Sequence, residues 1–135
     1  MDTSYTFAAL ISMWAALKTS IWNGGKLGLF TGATIPTPST ALSDLTEPGY
    51  DGYAQKTVAT FPLPYVLADD GKVHVTQSEQ WQPTGATTSA LITGWFFIDS
   101  MSNLVYAARL PAPVALGSAL DALVIDHDFR LDPAM

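Results

Sequence analysis

An imidazole between two carboxylates is the first arrangement in this chain that could do chemistry. Asp126-His127-Asp128 has Asp121 and Asp132 close by in sequence. Carboxylate-supported histidine is the raw material of general bases and metal ligands. The segment alternates as a strand does, however, and strand neighbours point to opposite faces, so both aspartates turn away from the ring between them. His127 therefore reads as a half-buried structural residue on an inward face. Asp126 and Asp128 share the outward face, about 7 Å apart at strand pitch. Calcium takes roughly six to eight oxygens from a loop that wraps it, and the spacing here supplies no such loop. A solvated acidic face is the simpler reading. His74 reads as an exposed strand residue facing Thr76, and two histidines in different strands are too few for most triads or metal sets.

The remaining motifs are weaker. Gly24-Gly25-Lys26 lacks the first glycine of a phosphate loop and the Ser or Thr after the lysine, and its order is helix then strand. Ser118 follows Gly117 without the second glycine of a nucleophile elbow. Asp69-Asp70-Gly71 is turn chemistry. Glu47 and Glu79 are the only glutamates, with no motif to make either half of a glycosidase pair. No catalytic, cofactor-binding or metal residue is assigned, and no cofactor is expected. An enzyme reading, a carbohydrate-active or cation-dependent catalyst on a β scaffold, would have to rest on Asp126, His127 and Asp128.

Composition narrows the classes further. The 135 residues suit one domain of ordinary size. Apolar residues make up 48%, which excludes a disordered chain. Charged residues are 13%, about half the usual share, so part of the surface is expected to meet other protein. The net charge of −6, with six scattered basic residues, argues against nucleic acid. Absence of cysteine removes disulfides, thiolate zinc sites and cysteine nucleophiles together. The apolar run Tyr5–Leu17 is shorter than the roughly 20 residues a spanning helix needs, and Asp2 sits where a signal peptide would carry basic residues. A soluble protein with no membrane partner is expected.

These residues must be positioned by elements the pattern makes legible. Phe7, Leu10, Ile11, Trp14, Leu17 and Ile21 follow helical spacing, so an amphipathic N-terminal helix is expected within residues 1–23, ended by Asn23-Gly24-Gly25. A strand is expected over Lys26–Thr31, then a long Pro-containing loop over 31–52, with a helical turn in which Leu42 and Leu45 point the same way. Strands follow at Ala54–Phe61, Lys72–Trp81, Ser89–Ile98, Leu104–Leu110 and Leu120–Leu131. Asp70-Gly71, Pro83-Thr84-Gly85 and Asp99–Asn103 supply turns, and Pro111 and Pro113 bound a linker. Leu123, Ile125, His127, Phe129 and Leu131 should face inward. Ser89–Ile98 is apolar on both faces, which implies a central strand covered on both sides or one face buried in a partner. The fold expected is mainly β: a small antiparallel β-sandwich or barrel of about six to seven strands over 26–131, in a single domain spanning 1–135.

The aromatics are heavy for so small a domain. Trp and Tyr anchor interfaces, so Phe7, Leu10 and Trp14 on the helix, with Trp22, Trp81 and Trp95, are the candidate interface residues. The long loop is of a length usually functional or laid as an arm on a neighbour.

Leu27-Gly28-Leu29-Phe30-Thr31, then Pro36-Thr37-Pro38-Ser39-Thr40, Ala41–Glu47 and Gly49-Tyr50-Asp51-Gly52-Tyr53-Ala54, followed by Thr93–Asp99 and Leu104–Leu110 with Pro113, cover most of the chain. This pattern resembles small structural proteins of tailed bacteriophages. The resemblance implies a β-sandwich virion component, a capsid decoration or cement protein, with the major capsid protein or other virion proteins as partners. It implies a homo-oligomer, with a trimer favoured, assembled in the host cytoplasm and placed on the capsid surface. The alternative it leaves open is a tail- or fibre-associated protein contacting the host surface or glycans. Its motifs are structural and transfer no catalytic residue.

Overall fold

Alternation in the second half of the chain becomes two antiparallel sheets in the computed structural model, which describes residues 7–17, 22–59, 65–66, 73–85 and 89–131. The elements are helix α1 (Phe7–Leu17) and strands β1 (Gly25–Thr31), β2 (Lys56–Val58), β3 (Tyr65–Val66), β4 (Val73–Trp81), β5 (Ala90–Ile98), β6 (Leu104–Leu116) and β7 (Leu123–Leu131). One sheet has the order β2-β1-β5-β6 and the other β3-β4-β7. Among the described residues the chain is thus mainly β with one short α-helix, as the pattern predicts, and neither sheet closes into a barrel. The expected turn at Asp70-Gly71 lies outside the described residues.

Both sheets contribute to one core. Leu27 and Leu29 of β1, Trp95 and Phe97 of β5, Val75 and Trp81 of β4, and Leu123, Ile125 and Phe129 of β7 pack together. Phe129 is its hub, within 5.7 Å, ring centre to ring centre, of Trp22, Trp95, Phe97 and Tyr106. The inward set predicted for β7 is correct at Leu123, Ile125, His127 and Phe129, all buried.

β5 is covered on both sides, and the second cover is the chain's own loop. Phe30, Phe96 and Ile98 point away from the main core and meet Leu42 and Leu45. A single 3-10 turn, Leu42–Asp44, presents these two leucines. Three contacts fasten the loop. Thr31 N–H donates to Thr46 O at 2.8 Å. Arg109 Nη1 donates to Ala33 O and Thr34 O at 3.1 and 3.2 Å. The Tyr53 hydroxyl accepts from Leu29 N–H at 3.1 Å and donates to Glu47 Oε1 at 2.6 Å. Pairing of β1 with β2 stops at Leu27↔Lys56, so the phenol replaces the strand partner that Leu29 lacks on that side. Burial first, and the bond to Glu47 second, push the Tyr53 phenol far above its ordinary range, so it stays a neutral donor.

Three expectations need correction. The linker expected at Pro111 and Pro113 is instead the second half of β6, which runs from Leu104 to Leu116. Ile92 pairs with Val114 but Gly94 with Arg109, so residues 110–113 bulge opposite Thr93. Edge strands and bulges are where a residue without an N–H does no harm. His74, expected in solvent, is 1% exposed: it alternates with Val75 onto the sheet's other face, and α1 lies against that strand. The strand expected over Ala54–Phe61 is only Lys56–Val58, with 60–64 outside the described residues.

Candidate functional site

Among the described residues, those weighed for chemistry do not gather into one site. His127 is fully buried between the sheets, its ring edge-on to Trp95 at 4.5 Å. Its Nδ1 lies 2.8 Å from Gln77 O, which places the proton on that nitrogen. Nε2 then offers a lone pair with no partner among the described residues. Desolvation lowers the pKa of the ring, outweighing its bond to Gln77 and the fields of Glu79 and Asp126, so it is held neutral. Asp126 is on the exposed side of the same strand and takes a hydrogen bond from Ser78 Oγ. The Asp128 side chain lies outside the described residues. Among the described residues no three His, Cys, Asp or Glu gather where a cation could sit.

Two of the candidate interface residues are placed inside this chain. Trp81 is 1% exposed and Trp95 is 6% exposed. Trp81 stacks on Tyr53 with ring centres 6.0 Å apart, and the Lys56 ammonium stands 5.4 Å from its ring centre. Neither indole can anchor a partner while the core is intact; in a sheet of this size, the largest side chains fill the gap between layers. Trp22 is half-buried, 5.6 Å from both Phe97 and Phe129. Phe7, Leu10 and Trp14 fall in α1, but their side chains lie outside the described residues.

Among the described residues the exposed apolar side chains are mostly aliphatic, with Tyr106, 37% exposed, the aromatic exception. Ile35 is 72% exposed, Leu91 54%, Met101 67%, Val124 63% and Leu120 94%. On α1, which carries no charged residue, Ile11 and Met13 are also exposed. Three open clefts accompany them. One, of about 350 Å³, lies between Pro36–Pro38 of the loop and the start of β6. Another, of about 570 Å³, lies between Gly32, Pro48 and the start of β5, beside Leu91. The third, also about 350 Å³, lies between β6 and β7 where the sheets part, with Trp95 and Ile125 at its floor and Arg109 and Asp126 on its lining. Such an arrangement presents apolar contact area. Sequence reasoning missed Leu120 and this third cleft. The available signal was an apolar residue inside Gly117-Ser118…Asp121, a turn sequence where a leucine finds no core.

No protein-family model, curated protein or solved structure matches this chain.

Proposed function

We propose that this chain is a non-enzymatic structural virion protein of a tailed bacteriophage, decorating or cementing the capsid through subunit contacts. Its partners are then the major capsid protein or other virion proteins, together with further copies of itself. One observation carries the reading: a core closed by the chain's own loop coexists with exposed aliphatic side chains at Ile35, Leu91, Met101, Leu120 and Val124. Charge is too sparse to solvate the rest of the surface, at 13% of residues. Singly exposed apolar side chains are ordinary, but so many of them on a surface this poor in charge favour contact with other protein. The motif resemblance supplies the kind of assembly. The glycan-contacting alternative would need exposed rings; Trp22, Trp81 and Trp95 are engaged with the core, and among the described residues Tyr106, stacked on Trp95, is the ring left exposed.

A decorating protein binds the assembled shell and not its dissociated parts, so it must stabilise the shell by linkage. Purified particles of the encoding phage should carry the chain at fixed stoichiometry on the shell surface, located by imaging. Shells stripped of it should disrupt at lower temperature and recover when it is added back. Particles without the chain, or a chain found only on the tail, would overturn the proposal.

A further inference from the structure

The geometry points to Asn23-Gly24 as a modification site of this chain, where the Asn23 side chain closes on the next backbone nitrogen with loss of ammonia, and to strand β2 as the gate that withholds that nitrogen. Nothing in this depends on the virion reading.

The chain has two asparagines, Asn23 and Asn103, and only Asn23 precedes a glycine. Ring closure brings the nitrogen of the following residue against the asparagine Cγ, and a glycine there has no side chain to hinder the approach. Attack within one dipeptide also carries the high effective concentration of an intramolecular reaction. The Gly24 nitrogen gives up its proton and bonds to Asn23 Cγ; the bond from Cγ to Nδ2 breaks, and ammonia leaves with that proton. Water then opens the succinimide at either carbonyl. Breaking the new bond leaves aspartate, while breaking the original peptide bond leaves isoaspartate, with the backbone rerouted through the side chain. Nothing is oxidised or reduced, and water is the only co-reactant. Gly24 is exposed and Asn23 half-buried, so water reaches the pair.

The fold holds the attacking atom. Gly24 N–H donates to Val58 O at 2.7 Å, so its hydrogen is engaged and its peptide plane fixed while β2 is in place. Gly24 has φ +86°, the left-handed conformation that glycine takes at no cost, and from it the chain enters β1. The gate is slight. β2 is three residues long, lies at a sheet edge, and meets β1 only at Gly25↔Val58, Lys26↔Thr57 and Leu27↔Lys56. Short edge elements open locally more often than the whole fold unfolds. Its anchor is the Val58 side chain, 3% exposed in the main core.

Once made, the isoaspartyl change keeps the gate open. It lengthens the backbone by one methylene, about 1.5 Å, immediately before Gly24. A Cβ on Gly25 would already lie 2.5 Å from both Ile98 O and the Phe97 ring, so β1 has no slack there to take up the added length. Gly24 N–H and Val58 O then no longer meet. Either product adds one negative charge to a chain that carries −6.

Ageing the full chain at mildly alkaline pH, which favours the deprotonated nitrogen, tests this. Anion exchange reads the charge gain and peptide mapping assigns it. The gain should map to Asn23 and not to Asn103, and Asn23→Gln should abolish it, because the longer side chain closes a less favourable ring. The folded chain should react at least about tenfold more slowly than the same chain in guanidinium, since the closed strand withholds the nitrogen. Val58→Ala should speed the folded-state reaction about threefold or more by loosening β2. Leu116 is as deeply buried, but β1 and β5 separate its strand from β2. Leu116→Ala should therefore lower the melting temperature yet leave the rate within about twofold. The isolated isoaspartyl form should melt below the parent. A folded chain that reacts as fast as the unfolded one, or a Leu116→Ala chain that speeds up as much as Val58→Ala, overturns the gate. A charge gain that never appears, or that maps elsewhere, overturns the site. An isoaspartyl form that melts like the parent shows that β2 closes again and overturns the lasting opening.

Discussion

His127 has its Nδ1 proton committed to a strand carbonyl and its Nε2 lone pair without a hydrogen-bond partner among the described residues. Protonation would place a cation between two sheets with no described group to accept the second N–H, and burial depresses its pKa. In the unfolded chain the ring titrates near 6.5. Between that value and the lower folded one, the unfolded state binds more protons, so stability falls as pH falls. Its contribution is complete above about pH 6.5 and is lost progressively below it, at no more than about 1.4 kcal/mol per pH unit. The thermal midpoint should therefore drop between pH 7 and about pH 5, before most carboxylates titrate. His127→Gln should flatten that slope; an unchanged slope would remove the residue from the account. Strand alternation was enough to place His127 inward. The same alternation misled at His74, because a strand pattern names two faces without saying that both are covered.

Between β1 and β5 the register sets Gly28 opposite Phe96 and Phe30 opposite Gly94. Each phenylalanine lies across the glycine it faces: a Cβ on Gly28 would collide with the Phe96 ring, and one on Gly94 with the Phe30 ring and Ala108 O. Two rings thus fit side by side on a face where four full side chains would not. Gly94→Ala or Gly28→Ala should destabilise by about 1–3 kcal/mol, as overpacking of a tight core does. Denaturant unfolding would measure it, and a neutral result would mean the rings have room to move. Both glycines belong to strands that the sequence located to within a residue. Their function as seats for aromatics was hidden, since it depends on which residues the register brings opposite. Pro111 and Pro113 carry the same lesson: read locally they end a strand, yet an edge position and a bulge let β6 continue through them.

At the scale of the whole molecule, the 31–52 segment covers the outer face of the four-stranded sheet through Leu42 and Leu45. Leu45 is 8% exposed against Phe30, Phe96 and Ile98. Leu45→Ala should cost about 2–5 kcal/mol and raise the binding of an apolar dye, as for other buried leucines. Ile35→Ala in the same segment, at 72% exposure, should change stability by no more than about 0.5 kcal/mol. Equal effects at the two positions would mean that the segment does not cover the sheet.

Much of this was fixed by order and spacing alone. Period-two alternation, turn residues and the glycines after the helix determined a mainly β chain, the location of most strands and the inward face of β7, because these are local consequences of backbone geometry. Composition determined that the surface is poor in charge. Only the tertiary structure decided that Trp81 and Trp95 belong to this chain's own core, that its own loop covers β5, and that Leu120 stands in water beside an apolar cleft. Those outcomes turn on which distant segments come to lie against one another, and burial is a property of that pairing, which no single stretch of sequence carries.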